Sequence, residues 1–193
     1  ASYHSAARSY GLPLLGRVDP RTHITFDPSR MRTPSYRRDV NAHAATLSDA
    51  DHWLRDGLPV TRPARTVIDV ARWVEIVPAV ALADAALHRG LVTPSELEFV
   101  LTLQATWPGI ARASAAIGLT DARAESPLES YGRVVLVQRG VHLTSQVDVH
   151  DERGFIGRAD WQVTGERVLV EADGMVKYTE TASAENKSDG LGV

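Results

Sequence analysis

The sequence predicts an α+β (mixed α/β) protein in which a mainly helical N-terminal region precedes one helix and an antiparallel β-meander. Three observations support this prediction. Apolar residues recur at helical spacing between Thr66 and Arg89. Two segments begin with Ser or Thr, then Pro, then Glu at the third helical position, which is a helix-start signal. After Gly140 the periodicity changes from helical to alternating.

The first 26 residues predict a short helix, a turn over 11–16 and a strand at His23–Phe26, where β-branched and aromatic residues cluster. The most basic stretch follows, DPSRMRTPSYRRD, with two prolines that favour a loop. Arginine binds phosphates through two parallel hydrogen bonds and an aromatic ring stacks on bases, so this loop is a candidate nucleic-acid contact. A solvated loop without a ligand is the alternative. The candidate residues are Arg30, Arg32, Tyr36, Arg37 and Arg38.

Helical segments fill the next part of the chain. The apolar spacing predicts a helix from Thr66, a break at Pro78, and a second helix that ends at Gly90. Asp69 lies on the first of these and is predicted to bond a neighbouring arginine, Arg65 or Arg72. Thr93 caps another helix with Glu96 closing a capping box, and residues 107–119 predict one more short helix.

A further helix is predicted from Ser126 to about Arg139, with Gly140 as its stop. Its predicted apolar stripe is Leu128, Tyr131, Val135 and Leu136. The linker over 120–125 separates two predicted domains, a mainly helical one over 1–119 and an α/β one over 124–193.

Three carboxylates, Asp160, Glu171 and Asp173, fall in the predicted meander, whose turns are DERG and TGER. Glu171 and Asp173 share one face of their strand, and the turn midway between Asp160 and Glu171 brings those two together across the ladder. Apolar residues of both parities around Glu171 predict a strand covered on both faces. Carboxylates held close together repel unless a cation lies between them, which predicts Mg²⁺ (or Mn²⁺) bound by Asp160 and Glu171.

Lys177 would then neutralise charge at a phosphate bound to that ion. The alternative places Asp160 and Glu171 on a solvent face, paired with Arg158 and Arg167. For Glu129 the alternative to a functional role is helix capping, because a Glu at the third helical position is most often a capping partner.

Composition narrows the function classes. The chain has 193 residues, 44% of them hydrophobic, a net charge of −3 and no cysteine. Thiol nucleophiles and thiolate metal sites are therefore excluded, and nucleic-acid binding would need a local basic patch. None of the seven histidines has the spacing of a helical zinc motif. No run reaches the roughly 18 apolar residues of a membrane span, and no signal peptide is evident, so a cytoplasmic location is expected.

Four C-terminal segments, ESPLES, SQVDV, GRADW and VLVEADG, resemble the core of a PD-(D/E)XK-type endonuclease, in the branch similar to very-short-patch repair endonucleases. The resemblance implies metal-dependent hydrolysis of DNA phosphodiesters on a helix followed by a meander. It assigns catalytic roles to Glu129, Asp160 and Glu171, places Asp173 where many relatives have lysine, and sets Lys177 where this branch often has lysine or histidine. Gln146 matches a recurring glutamine of the first strand. Beyond Tyr178 the sequence lacks the expected helix and strand, so we expect an incomplete endonuclease core.

The N-terminal segments YHSAARSYGLPLLG, GLPVTRPARTVIDVAR and ALADAALHRGLVTPSEL resemble a domain of AbiE-type antitoxin-like proteins, in which a winged helix-turn-helix precedes it. Three hypotheses follow. The first is a metal-dependent DNA endonuclease. The second is a DNA-binding regulator of antitoxin type with a degenerate nuclease fold. The third is an intact but inactive remnant. DNA is the expected partner, together with a toxin protein and a second copy of the chain.

Overall fold

A computed structural model describes residues 1–30 and 38–173 of the chain. The chain divides into two compact units, 1–140 and 141–193. In the described ranges, no helix combines the length and apolar character that a membrane crossing needs.

Among the described residues, the first unit contains six helices and two small sheets, and the second contains one three-stranded sheet. In chain order the elements are α1 (Tyr3–Ser9), β1 (Thr22–Phe26), β2 (Val40–Ala44), a 3-10 turn (Asp49–Asp51), β3 (His52–Arg55), β4 (Leu58–Thr61), α2 (Pro63–Ala71), α3 (Ile76–His88), α4 (Pro94–Leu103), α5 (Ile110–Ile117), α6 (Pro127–Gln138), β5 (Leu143–Asp151), β6 (Gly154–Val163) and β7 (Leu169–Val170). The predicted α+β class is confirmed.

The core of the first unit lies around α2 and α3. In α2 every residue from Arg65 to Ala71 is buried, and in α3 the small residues Ala79, Ala83 and Ala86 are fully buried. Small side chains let the helices approach closely, and Ile68 and Leu82 are among the largest fully buried side chains of the same core. Burial of these apolar groups provides the main driving force for folding of this unit.

Pro78 lies inside α3 rather than at a break. The helices separate between Ala71 and Ile76, and Pro78 is the third residue of α3. A proline is tolerated in the first turn because the amide it lacks would have no intrahelical acceptor. The predicted break at Pro78 is therefore wrong by a few residues. The predicted capping of α4 is confirmed, since the Glu96 amide donates to Thr93 Oγ1 at 3.3 Å and the Thr93 amide donates to Glu96 Oε2 at 2.8 Å.

Two small sheets complete this unit. The predicted strand at 23–26 is confirmed as β1, which pairs in parallel with β2. The β3–β4 hairpin was not predicted. Its turn contains Asp56 and Gly57 with φ of 51° and 77°, and Asp-Gly is a strong sequence signal for such a hairpin.

Helix α6 belongs to the first unit because a buried ion pair attaches it to α3. Arg133 Nη2 donates to Asp84 Oδ2 at 2.6 Å, and the second Asp84 oxygen accepts the Asp121 amide at 2.7 Å. The observed division therefore falls after Gly140 rather than in the linker over 120–125. The buried face of α6 carries Glu129, Ser130, Arg133 and Val134, whereas Leu128 and Tyr131 are 44% and 51% exposed. The predicted apolar stripe is wrong at those two positions.

The second unit is the predicted antiparallel meander, in the order β5-β6-β7. Ser145, Ala159 and Trp161 form its buried side. β7 has only two residues; its first residue, Leu169, is 46% exposed, and Val168 just before it is 51% exposed. The expectation of a third strand covered on both faces is therefore wrong for the residues that the structure describes.

Replacing Arg133 with Met is predicted to lower the free energy of unfolding by about 3–5 kcal/mol, because Asp84 would stay buried without its cation. Urea denaturation measures the change. Arg139→Met, an exposed position at the C-terminal cap of the same helix, is the control and should cost less than about 0.5 kcal/mol. Equal losses in both variants would contradict the assignment of α6 to the first unit.

Candidate functional site

The meander brings Gln146 and Glu171 into register with Asp160. In the β5–β6 ladder Ser145 pairs with Trp161 and Val147 with Ala159. Gln146 falls opposite Asp160 between these pairs, but the ladder skips this position and the Gln146 φ of 54° departs from strand geometry. In the β6–β7 ladder Trp161 pairs with Val170, and Glu171, one residue beyond the end of β7, falls opposite Asp160. Asp160 therefore lies in register between Gln146 and Glu171, at an interruption of the first ladder and just past the end of the second.

Asp160 lies on β6, the central strand of the meander. Its Oδ2 accepts the Ala172 amide at 2.6 Å, so the carboxylate joins β6 to the segment that follows β7. Asp160 is half-buried, whereas Glu171 and Asp173 are exposed. Arg158 binds Asp148, with Nε to Oδ1 at 2.6 Å. The alternative pairing of Asp160 with Arg158 is thus replaced by a bond to the backbone.

The catalytic set predicted from the endonuclease resemblance is only partly described. Lys177 lies outside the described residues. Glu129 Oε2 accepts the Glu125 amide at 2.9 Å while Ser126 Oγ accepts the Glu129 amide at 3.1 Å, so Glu129 helps to cap α6. Within residues 1–30 and 38–173, no group of three or more His, Asp or Glu side chains is arranged to hold a metal ion. The Mg²⁺ or Mn²⁺ site at Asp160 and Glu171 stays a prediction.

Only part of the arginine-rich loop lies among the described residues. Arg32, Tyr36 and Arg37 lie outside the described residues. Arg30 and Arg38 flank them and are both exposed. Arg30 Nη1 lies 3.3 Å from Asp49 Oδ1 in an exposed ion pair, which contributes little to stability. Both guanidinium groups are therefore accessible to a phosphate.

A cluster of three buried histidines was missed by sequence reasoning. His23 Nδ1 lies 3.0 Å from His43 Nε2, and the His4 ring meets the His23 ring edge-on with centroids 4.8 Å apart. The Tyr3 ring stacks on the His43 ring, with the two ring centroids 3.7 Å apart. A sequence signal was available, because His23 and His43 both lie within short β-branched or alanine-rich segments that are otherwise uncharged. Their proximity depends on the parallel register of β1 and β2, which sequence spacing does not reveal.

Burial controls the protonation of this cluster. The pKa of His43 is lowered to about 4, chiefly by loss of solvation and also by the nearby His23, His4 and Arg72, while Asp19 opposes the shift. Burial likewise lowers the pKa of His4 and of His23. All three imidazoles are therefore neutral at pH 7.

Lowering the pH from 7 to 4 is predicted to destabilise the protein partly through His43. The unfolded side chain takes up a proton near pH 6.5 but the folded one only near 4, so between these values the unfolded state binds more protons. The stabilisation is complete above pH 6.5 and is lost as the pH falls. At about 1.4 kcal/mol per pKa unit, the loss is on the order of 3 kcal/mol.

The measurement is the melting temperature as a function of pH. His43→Phe keeps a ring against Tyr3 but cannot titrate, so its melting temperature should fall less steeply than that of the wild type. His142→Gln, at an exposed position of the second unit, should follow the wild-type curve. Parallel curves for wild type and His43→Phe would contradict the burial of a neutral imidazole.

Comparison with known proteins places the first unit in a family. The family described as the AbiEi antitoxin C-terminal domain matches residues 1–119. Two proteins from strains of Mycobacterium tuberculosis, both named uncharacterized protein, are each 34% identical over 116 residues, which is 60% of this chain and 43% of theirs. The match thus spans less than half the length of these relatives. No solved structure matches the chain significantly.

The match confirms the resemblance to antitoxin-like proteins. The endonuclease resemblance begins beyond residue 119, outside the matched range, and stays a prediction. Since the match covers more than half of the 193 residues, the chain belongs to the AbiEi antitoxin C-terminal domain family.

Proposed function

We propose that this chain is an antitoxin-type regulatory protein that binds DNA and pairs with a toxin protein. Membership of the antitoxin domain family over 1–119 is the observation that carries the proposal. It favours the second of the three hypotheses over the endonuclease. The proposal assigns the DNA contact to the first unit and treats the meander as a module that need not catalyse a reaction.

The distribution of charge supports this assignment. Residues 1–140 contain 16 arginines, no lysine and 14 acidic residues, a formal charge of +2. Residues 141–193 contain five basic and ten acidic residues, a formal charge of −5, and the two values add up to the −3 of the whole chain. Phosphates attract the first unit and repel the second. An all-arginine set also suits phosphate binding, because guanidinium groups bind phosphate oxygens in pairs.

Arg30 and Arg38 are the proposed phosphate contacts among the described residues. Both are exposed and both belong to the most basic stretch of the chain. The ion pair of Arg30 with Asp49 is exposed, so a DNA phosphate competes with it at low cost.

Arg30→Gln with Arg38→Gln is predicted to weaken DNA binding and to reduce the salt dependence. Each lost phosphate contact lowers the slope of log K against log salt by about 0.9, so the double variant should lose about 2. Fluorescence anisotropy with the duplex upstream of the protein's own gene, and with a shuffled duplex, measures both quantities at several salt concentrations.

The matched control is Arg112→Gln with Arg139→Gln, which removes the same charge from exposed positions on α5 and α6. It should leave the slope close to that of the wild type. If both double variants lose the same slope, the contact is not specific to Arg30 and Arg38. If the wild type binds neither duplex, DNA binding by this chain is refuted.

A second candidate function is metal-dependent cleavage of DNA by the meander. The register that sets Asp160 between Gln146 and Glu171 is the observation that favours it, because oxygen ligands brought close together suit a hard divalent cation. Gln146 also has a φ of 54°, an unusual backbone conformation for a residue other than glycine, and such strain concentrates at functional sites. Mg²⁺ or Mn²⁺ bound there would polarise a phosphate oxygen and activate a water.

Calorimetric titration of Mn²⁺ and of Mg²⁺ tests this candidate. If it is correct, the wild type binds the ion and Asp160→Asn with Glu171→Gln abolishes the heat. Glu152→Gln with Glu166→Gln changes the net charge equally at exposed turn positions and should bind as the wild type does. Absence of heat in the wild type would eliminate the candidate. Binding that depends on the pair would be followed by a cleavage assay on duplex and single-stranded DNA.

A further inference from the structure

The first unit contains a cavity of about 420 Å³ that no proposed function uses. Its walls are the start of α1, the loop before β1, the two strands of the parallel sheet and the segment between α2 and α3. This volume falls within the range of small-molecule sites. The residues that decide its chemistry are His4, Arg17, Asp19, Arg21, His23 and Trp73.

Two buried nitrogens of the lining have no hydrogen-bond partner among the described residues. They are His4 Nδ1 and His23 Nε2, and the two residues are 8% and 3% exposed. His23 Nε2 lies 3.5 Å from Asp19 Oδ2, which is longer than a hydrogen bond between a ring nitrogen and a carboxylate. Buried polar groups are nearly always satisfied, so these two require an explanation. Both residues line the cavity although the two nitrogens themselves have almost no accessible surface, so a ligand with a polar edge would satisfy both after a rotation of the imidazole rings.

An exposed aromatic surface stands at the same cavity. The Trp73 side chain is 60% exposed, and its ring is held edge-on to Tyr3 at 6.2 Å and to His43 at 5.6 Å. These contacts fix the orientation of the indole and leave part of its surface accessible. A flat ring would stack there without reorganisation of the protein.

The charges of the lining cancel. Arg17 and Arg21 are offset by Asp19 and Glu75. Asp19 Oδ2 already accepts Arg21 Nη2 at 2.6 Å and Asn41 Nδ2 at 3.2 Å. The buried imidazoles are neutral, and a neutral imidazole offers one donor and one acceptor. A charged ligand gains little in such a site, whereas an uncharged heterocycle with a donor and an acceptor on its edge is complementary to it.

We infer that this cavity binds an uncharged planar heteroaromatic ring of the nucleobase class. The ring stacks on Trp73 and directs its polar edge to His4 Nδ1 and His23 Nε2. The same chemistry is offered by a free nucleoside and by an unpaired base of single-stranded DNA. The inference does not depend on the phosphate contacts proposed at Arg30 and Arg38, which act on duplex DNA.

The experiment titrates the full chain with adenosine, guanosine, cytidine and thymidine in turn, with ribose as the ligand that lacks a base. Isothermal calorimetry should show saturable binding of at least one nucleoside and none of ribose. Trp73→Leu should weaken that binding by about tenfold or more, because base stacking is lost. Trp53→Leu removes another partly exposed indole that does not line the cavity, and should leave the affinity unchanged.

A second readout keeps the test independent of the stability of Trp73→Leu. In the wild-type protein, NMR signals of the His4 and His23 rings should shift on nucleoside addition, and the His142 signal should not. Single-stranded oligonucleotides are titrated in parallel. Binding of an oligonucleotide but of no nucleoside, with the same dependence on Trp73, assigns the source to DNA.

The inference is overturned if neither ligand type binds, or if binding is insensitive to Trp73→Leu and leaves the His4 and His23 signals unmoved. Duplex binding measured by anisotropy should be the same in Trp73→Leu as in the wild type. Failure of this inference therefore leaves the proposed regulator untouched, and the reverse also holds.

Discussion

The buried carboxylate of Asp69 is the constraint on which the rest of the first unit depends. Asp69 Oδ2 accepts Arg65 Nε at 2.8 Å, and Oδ1 accepts Arg72 Nη1 at 3.2 Å and Gln104 Nε2 at 3.3 Å. The Trp107 ring lies against both guanidinium groups, 4.7 and 5.0 Å from its centroid. Burial raises the pKa of Asp69 and the two arginines oppose that rise. A carboxylate in this position would be very costly without both cations.

The network around Asp69 also fixes the position of Trp73, which lines the cavity. Arg72 Nε donates to the Pro108 carbonyl at 2.8 Å, which fixes the end of α2 against the segment after α4. A side chain at Gly109 would collide with the Arg72 carbonyl, so the two segments are in close contact. Trp73 follows directly and stands between two cavities that share it with Tyr3, Asn41 and His43. The buried ion network therefore determines where the exposed indole is placed.

Local signals in the sequence predicted local structure well. Thr93 with Glu96 and Ser126 with Pro127 marked helix starts, and alternation marked the meander, because capping and pleating depend on adjacent residues. Asp69 was correctly predicted to bond neighbouring arginines on its own helix.

The remaining features depend on contacts between distant segments. Leu128 and Tyr131 matched an apolar stripe, but the buried ion pair of Arg133 with Asp84 turns another face of α6 inward. The histidine cluster needs the parallel pairing of two strands separated by 13 residues, which no local pattern specifies. At the candidate site, alternation predicted that Asp160 and Glu171 share a face, whereas the bond from the Ala172 amide to Asp160 could not be foreseen.

We propose that DNA binds to the first unit, which has a net positive charge and belongs to the antitoxin domain family, and that the acidic meander makes no contact with it. Hydrogen–deuterium exchange of the full chain, with and without duplex DNA, tests this claim most directly. We expect DNA to slow amide exchange within residues 22–44 and to leave exchange in β5, β6 and β7 unchanged. Protection centred on Asp160 and the amide of Ala172, with none in the first unit, would contradict it and would favour a nuclease.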